Sequence, residues 1–139
     1  MDKIVLVVED SSADVLLLQD ALRLHELSVK LIILDDGEKA IEWIAQNDLA
    51  NLPIIPSAVV LDLNLPKRRG AEVLPVMRAS RTLGQTPIII FSSSNSIRDR
   101  SLQDQYPRTR YMRKSVDFDE FAAIGGVLKE AIKTDFATQ

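Results

Sequence analysis

Short, nearly continuous apolar runs constrain the fold of this chain more than any other feature of its sequence. They cover residues 4–8, 31–34, 58–61 and 88–91, and a weaker run surrounds Tyr111 and Met112. Runs of four or five residues that are rich in valine and isoleucine are typical of strands buried on both faces, as in a parallel sheet. We therefore predict five parallel strands.

Segments with helical spacing of their apolar residues separate these runs. The first is expected to begin at Ser11 or Ser12, which are good N-cap residues. The last opens with Asp117-x-x-Glu120, which resembles a capping box. The predicted inner faces of three helices are Leu17, Leu18, Ala21, Leu22 and Leu24; Ala40, Ile41, Ile44 and Ala45; and Phe121, Ile124, Leu128 and Ile132. Five alternations of strand and helix predict a doubly wound α/β fold with one parallel sheet.

Two other helical segments are less regular. Residues 70–81 form the expected third helix, in which Pro75 either falls in the first turn of a helix that starts late or produces a kink. Residues 95–105 form the expected fourth helix, which is the most polar and has only Ile97 and Leu102 to bury. We expect this fourth helix to be weakly anchored and mobile.

Length and composition bound what such a fold can do. The 139 residues are 46% hydrophobic and 27% charged. We expect a single domain over 1–139, with a core of about 3–133, a short tail over 134–139 and no output domain. The net charge of −3 argues against binding to nucleic acid through bulk charge, and the lack of cysteine excludes disulfides and cysteine-ligated zinc. The first apolar run is too short for a signal peptide or a membrane span, so we expect a cytoplasmic protein without membrane contacts.

Polar residues follow the predicted strands at the edge of the sheet where ligands bind in open parallel folds. Glu9 and Asp10 follow the first strand, Asp62 the third, Ser92 the fourth and Lys114 the fifth. Taken singly, each of these acids is explained by a role as a helix cap. Together they repel one another, and a bound hard cation such as Mg²⁺ explains their crowding. A carboxylate at this edge can also accept a phosphoryl group, whose oxygens a lysine and a hydroxyl would stabilise.

Four short motifs, in this order along the chain, resemble the markers of bacterial response-regulator receiver domains. They are Val7-Val8-Glu9-Asp10, the run from Leu61 to Pro66, Phe91-Ser92 and Tyr111-x-x-Lys114. The resemblance extends from about residue 3 to residue 133. It implies a flavodoxin-like (βα)5 domain with the strand order 2-1-3-4-5, and a two-component signalling protein rather than an enzyme.

The resemblance also implies a phosphorylation site. Asp62 matches the phosphoacceptor, which takes its phosphoryl group from a sensor histidine kinase. Glu9 and Asp10 match the acidic pair that holds Mg²⁺ together with Asp62. Asn64 matches the residue whose backbone carbonyl completes that metal site.

Three further matches concern the response to phosphorylation. Ser92 matches the switch hydroxyl, Lys114 the phosphate-binding lysine, and Tyr111 the aromatic residue that turns inward on activation. The expected output is a change in the face formed by the fourth helix, the fifth strand and the fifth helix. A downstream protein partner or a second copy of the chain would bind that face.

A narrower resemblance connects the chain with the stand-alone regulators that serve bacterial phytochromes. It rests on the Lys114-Ser115 pair, the Leu-Asn-Leu-Pro run at 63–66 and the long connection before the third strand. It implies a bacteriophytochrome histidine kinase as the phosphodonor. Ser115 stands where the family usually has a cis-proline, and a cis bond before a residue other than proline costs ~2.5–4 kcal/mol.

Three other classes of function compete with this interpretation. A phosphatase of the dehalogenase type needs a second acid two residues after its nucleophile, and this position is Asn64. A nucleotide- or flavin-binding protein needs a glycine-containing, phosphate-binding loop after the first strand. Residues 9–14 contain no glycine, and the acids among them repel phosphate. The third class is a pseudo-receiver scaffold that takes no phosphate, and Ser115 keeps this alternative open.

Overall fold

The computed structural model describes residues 3–134 of the chain, and the part of the expected tail after Thr134 lies outside them. The strands are β1 (Ile4–Val8), β2 (Lys30–Leu34), β3 (Ala58–Leu61), β4 (Ile88–Ser92) and β5 (Thr109–Arg113). The helices are α1 (Ser12–Leu24), α2 (Gly37–Leu49), α3 (Gly70–Ala79), α4 (Ile97–Arg100), α5 (Leu102–Gln105), α6 (Phe118–Phe121) and α7 (Ala123–Thr134). All neighbouring strands are parallel, in the order β2-β1-β3-β4-β5, which confirms the predicted flavodoxin-like α/β fold. None of the helices within residues 3–134 combines the length and apolar character that a membrane span requires.

The core consists of two apolar layers, one on each face of the sheet. Alternate residues of β1 belong to different layers: Leu6 and Val8 pack with α2 and α3, whereas Val5 and Val7 pack with α1 and α7. β3 and β4 are buried along their whole length, as predicted. The prediction that both faces are buried is wrong for β2, where Ile33 is 42% exposed. β2 is an edge strand, and the helices cover the middle of the sheet more completely than its edges.

The first helix begins as expected but buries a narrower face. The Ser11 hydroxyl accepts a hydrogen bond from the backbone N–H of Asp14 at 3.2 Å and caps α1. Leu17 and Leu24, which were expected to be buried, are 37% and 62% exposed. The buried residues of α1 are Leu18, Ala21 and Leu22.

The last helical segment is divided into α6 and α7. Asp117 caps α6, but its predicted capping box is wrong, since the Glu120 carboxylate accepts a hydrogen bond from the Ser115 hydroxyl at 2.7 Å. The predicted inner face is otherwise present, and Phe121, Ile124 and Leu128 are buried while Ile132 packs at the edge of the core.

α3 begins at Gly70, so Pro75 lies in its second turn and the alternative of a late start is wrong. The backbone N–H of Arg69 donates to the Glu72 carboxylate at 3.0 Å, which fixes the first turn upstream of the proline. A Cβ atom on Gly70 would lie 2.2 Å from the carbonyl oxygen of Asp62. The start of α3 therefore lies directly against the residue that follows β3.

The expected fourth helix is two single turns, α4 and α5, which meet at Ser101. Leu102 is buried as predicted, but Ile97 is 83% exposed, so its predicted burial is wrong. No residue of α4 is buried, and the Ser96 hydroxyl caps this turn by accepting from the backbone N–H of Asp99 at 3.0 Å. Local hydrogen bonds hold α4, which contributes no buried residue, and its mobility stays a prediction.

The long connection before β3 is fixed by the side chain of Asn47. Its amide group donates to the Ile54 carbonyl at 2.8 Å and to the Thr82 hydroxyl at 2.9 Å, and its oxygen accepts from the Ile54 N–H at 2.9 Å. The connection is therefore an ordered part of the fold, although it contains no helix or strand.

Two adjacent glycines in α7 allow close contact with the end of α1. A Cβ atom on Gly125 would lie 2.5 Å from Cδ2 of His25 and 2.6 Å from the carbonyl oxygen of Ala21. A Cβ atom on Gly126 would lie 3.3 Å from Cε1 of His25. The glycines are therefore explained by packing within the chain, with His25 as a packing residue.

We expect Gly125→Ala to lower the free energy of unfolding by about 1–3 kcal/mol, even though alanine gains ~1 kcal/mol in helix propensity. The new methyl group would overlap both a ring and a backbone oxygen, so neither repacking nor His25→Ala would fully relieve it. Urea denaturation measures the change, and Gly126→Ala, whose Cβ meets only the ring edge, is the matched control. Equal stability of Gly125→Ala and the unchanged protein would contradict this packing.

Candidate functional site

β1 and β3 are neighbours in the sheet, which places the acids that follow them side by side. The N–H of Asp62 donates to the Val8 carbonyl at 3.0 Å, and the N–H of Glu9 donates to the Leu34 carbonyl at 2.9 Å. Backbone hydrogen bonds thus hold both acids where the strand order reverses, the usual ligand position in this class of fold. Both residues are buried, at 6% exposure for Glu9 and 5% for Asp62.

Asp10 joins these two acids in one cluster. Carboxylate oxygens of Glu9, Asp10 and Asp62 all lie within 4.8 Å of one another, and Asp10 is exposed to solvent. Carboxylate oxygens are the ligands that Mg²⁺ prefers, so the donor set fits the predicted metal. The N–H of Asn64 donates to Oδ1 of Asp62 at 3.2 Å, which places residue 64 beside the cluster. The metal-binding role of its carbonyl stays a prediction.

Lys114 reaches this cluster from the end of β5. Its Nζ atom donates to Oε1 of Glu9 at 2.5 Å, to Oδ2 of Asp14 at 2.8 Å and to Oδ2 of Asp62 at 3.0 Å. The lysine side chain is 10% exposed. Its backbone N–H donates to the Ser92 carbonyl at 2.8 Å, continuing the pairing of β4 with β5. The structure therefore brings Lys114 to Asp62 across the sheet.

Burial and charge act in opposite directions at this site. Burial raises the pKa of Glu9 to about 7, with the charge of Asp62 adding to the effect and the hydrogen bond from Lys114 opposing it. Burial alone would lower the pKa of Lys114, but its hydrogen bonds to Asp14 and Glu9 and the charge of Asp62 outweigh this and raise it. Lys114 is therefore a cation at neutral pH, held among three carboxylates.

The contact with Asp14 was missed by the sequence reasoning. Asp14 lies in the first turn of α1, four residues after Asp10, and its side chain is 29% exposed. A carboxylate in a first helical turn is usually explained by its favourable interaction with the helix dipole. Because that explanation suffices for Asp14, it gives no indication of Lys114 as a further partner. The available signal was its position at the same edge of the sheet as Glu9 and Asp10.

Ser92 and Tyr111 both form hydrogen bonds with Ser94, in the loop that follows β4. Ser92 is 1% exposed, and its hydroxyl accepts a hydrogen bond from the N–H of Ser94 at 3.3 Å. The Tyr111 hydroxyl donates to the carbonyl oxygen of Ser94, and the N–H of Tyr111 donates to the side chain of Gln103 at 3.0 Å. Ser92 and Tyr111 thus share Ser94 as a hydrogen-bond partner, and the contact of Tyr111 with Gln103 connects the site with β5 and α5.

The family model of the response regulator receiver domain matches residues 5–124 of this chain. The chain belongs to the receiver family. This match covers all five strands apart from the first residue of β1 and includes all the residues of the cluster, and it agrees with the predicted two-component signalling class. Receiver domains are signalling proteins, so this receiver belongs to a family whose members relay signals.

Two cyanobacterial regulators are close in sequence and structure. Response regulator Rcp1 from Synechocystis sp. is 34% identical over 127 residues, which cover 90% of this chain and 86% of Rcp1. The phosphorylated cyanobacterial phytochrome response regulator RcpA superposes with a TM-score of 0.82 and 29% identity, covering 96% of both chains. The Mn²⁺-bound form of Rcp1 superposes with a TM-score of 0.79 and 29% identity, covering 96% of this chain and 95% of that one. The receiver is therefore similar to phytochrome response regulators, as predicted.

The competing functional classes fit this receiver less well. Asn64 has an exposed side chain, and an amide cannot be the second catalytic acid of a dehalogenase-type phosphatase. The loop after β1 presents Glu9 and Asp10 to any ligand, and these acids repel a free phosphate. Ser115 stands where the family usually has a cis-proline. Within residues 3–134 no peptide bond is cis, so the bond between Lys114 and Ser115 is trans.

Proposed function

We propose that this receiver accepts a phosphoryl group on Asp62 from a sensor histidine kinase. The observation that carries the proposal is the 3.0 Å hydrogen bond from Nζ of Lys114 to Oδ2 of Asp62. A buried ammonium beside a buried carboxylate can bind the oxygens of a phosphoryl group attached to that carboxylate. Membership of the receiver family supports the same function.

The chemistry is an in-line transfer between two side chains. A carboxylate oxygen of Asp62 forms a bond to phosphorus while the bond from phosphorus to the kinase histidine nitrogen breaks. Lys114 donates to the transferred oxygens, and the hydroxyl of Ser92, the last residue of β4, is the second donor in this proposal. Glu9, Asp10, Asp62 and the carbonyl of Asn64 would hold Mg²⁺. When bound there, the ion neutralises charge on the acids and on the phosphoryl oxygens.

The output would be a change in the face formed by α4, α5, β5, α6 and α7. A phosphoryl group adds roughly −1.5 to −2 charge and new acceptor oxygens, which attract the Ser92 hydroxyl. Ser94, two residues further on, accepts the hydrogen bond of Tyr111, so a shift of this loop would release or redirect that side chain. α4 buries no residue and can follow at small cost. A downstream protein or a second copy would bind the altered face.

We propose a bacteriophytochrome histidine kinase as the phosphodonor, and we propose that the transfer takes place in the cytoplasm. The support is the similarity to Rcp1 and to the phytochrome response regulator RcpA. A histidine kinase of another sensor class would phosphorylate Asp62 by the same chemistry. The choice of donor therefore rests on the relatives and not on the geometry of the site.

Phosphotransfer from a purified bacteriophytochrome kinase tests the proposal. The kinase is phosphorylated with labelled ATP, freed of nucleotide and mixed with the receiver in Mg²⁺ or in EDTA. We expect transfer in Mg²⁺ only, and faster transfer than from an unrelated histidine kinase. Equal rates from both kinases would contradict the phytochrome assignment. No transfer from either kinase, together with no uptake from acetyl phosphate, would favour a pseudo-receiver scaffold instead.

A further inference from the structure

Asp14 differs from the other carboxylates that contact Lys114. Glu9 and Asp62 belong to the acidic cluster whose oxygens lie within 4.8 Å of one another, whereas Asp14 is not a member of it. Its Oδ2 atom nevertheless lies 2.8 Å from Nζ of Lys114. Asp14 therefore contacts the lysine without sharing the place proposed for the metal.

Counting hydrogen-bond donors shows what this third contact does. A lysine ammonium has three N–H donors, and Glu9, Asp14 and Asp62 accept one each. Under the proposed function, Glu9 and Asp62 also bind a cation, and Asp62 becomes an acyl phosphate. Cation binding and phosphorylation therefore alter the contacts of Lys114 with Glu9 and Asp62. Among the described carboxylate contacts of Lys114, these two events leave the one with Asp14 unchanged.

We propose that Asp14 is a positioning residue for Lys114, which holds the ammonium at the site while phosphorylation alters its other partners. This inference rests on the proposed function of Asp62. Lysine has a flexible four-carbon side chain, and fixing it costs rotamer entropy. A fixed acceptor on a neighbouring helix bears part of that cost before the phosphoryl group arrives.

Asp14 is built to be a fixed acceptor. It is a short side chain in the first turn of α1, and its own N–H is bound by the capping hydroxyl of Ser11 at 3.2 Å. The contact joins the start of α1 to the end of β5, which are 100 residues apart in sequence. Substitution of the side chain leaves the capping bond in place, so we expect variants at Asp14 to fold.

Two measurements on three variants test this role. Asp14→Ala removes the acceptor, Asp14→Asn keeps an acceptor oxygen without the charge, and Asp20→Ala is the matched control, an exposed aspartate on α1 that pairs with Arg23. The first measurement is the NMR order parameter of Cε of Lys114 in the Mg²⁺-free receiver. The second is the affinity for beryllofluoride, a phosphoryl mimic, in saturating Mg²⁺.

We expect Asp14→Ala to lower the order parameter and to weaken beryllofluoride binding about tenfold, which corresponds to about 1.4 kcal/mol. Asp14→Asn should retain most of both values, and Asp20→Ala should retain all of both. Unchanged beryllofluoride binding in Asp14→Ala would overturn the positioning role, whether or not the order parameter falls. If the unchanged receiver binds no beryllofluoride, the proposed function of Asp62 fails. An unchanged order parameter in Asp14→Ala would then overturn the Asp14 contact separately.

Discussion

Asp62→Asn is expected to take up no phosphoryl group from acetyl phosphate in Mg²⁺, while the unchanged receiver becomes phosphorylated. The amide lacks the anionic oxygen that attacks phosphorus, so the loss should be complete. The fold should persist because the two side chains are nearly isosteric, and the amide oxygen can still accept the hydrogen bond that Lys114 makes at 3.0 Å. Phosphate-affinity electrophoresis measures uptake, and circular dichroism checks the fold.

Asp36→Asn is the matched control for this experiment. Asp36 is also a buried aspartate after a strand, at 5% exposure, but it caps α2 by accepting from the N–H of Lys39 at 2.7 Å. Asparagine is an equally good cap, so this variant should fold and take up phosphate like the unchanged protein. Uptake that persists in Asp62→Asn would move the acceptor to another residue.

Asp10→Ala should abolish the thermal stabilisation that Mg²⁺ gives to this receiver. Binding to the folded state alone, at a Mg²⁺ concentration about 100 times the dissociation constant, contributes about 2.7 kcal/mol. For a domain of this length that is roughly 5–10 °C in Tm. Asp10 is the exposed member of the acidic cluster, so its removal opens no cavity in the core. Without Mg²⁺ the variant should be as stable as the unchanged protein or more stable, since one of three crowded like charges is gone.

Asp35→Ala is the control for the metal site. Asp35 is an exposed aspartate that follows β2 and pairs with Lys39 at 2.8 Å, and it lies outside the acidic cluster. Its variant should keep the full Mg²⁺ shift in a differential scanning fluorimetry titration. A Mg²⁺ shift in Asp10→Ala equal to that in Asp35→Ala would contradict the assignment of the metal site.

The sheet could be predicted from the sequence because its strands carry unambiguous apolar runs. β1 and β3 have the predicted bounds, and the other strands differ by a few residues. What the runs do not record is the position of a strand in the sheet. Ile33 belongs to a run as apolar as the others, yet it is 42% exposed because β2 lies at an edge.

The helices were less predictable, because local capping determines where they begin. At the start of α3 the N–H of Arg69 donates to Glu72, and the helix continues through Pro75 although proline is disfavoured there. Ile97 lies on a single turn of which no residue is buried, so its apolar character did not indicate burial. The order in the connection before β3 comes from Asn47, whose partner Thr82 lies 35 residues away.

The site was predictable to the extent that parallel strands end at one edge. Glu9, Asp10 and Asp62 follow neighbouring strands, so their convergence follows from the topology. The same topology places Asp14 near this edge, but its contact with Lys114 depends on the reach of the lysine side chain, which the topology does not give. Such contacts between distant parts of the chain carry no periodic signal in the sequence.

Chemical trapping of the phosphorylated residue tests the phosphoacceptor role of Asp62 most directly. The unchanged receiver is incubated with acetyl phosphate and Mg²⁺ and then treated with borohydride, which reduces an aspartyl phosphate to homoserine. Peptide mass spectrometry locates the reduced residue. We expect homoserine at position 62, and none there when Mg²⁺ is replaced by EDTA. Homoserine at another position, or a phosphorylated protein without homoserine at position 62, would contradict the role of Asp62 as the phosphoacceptor.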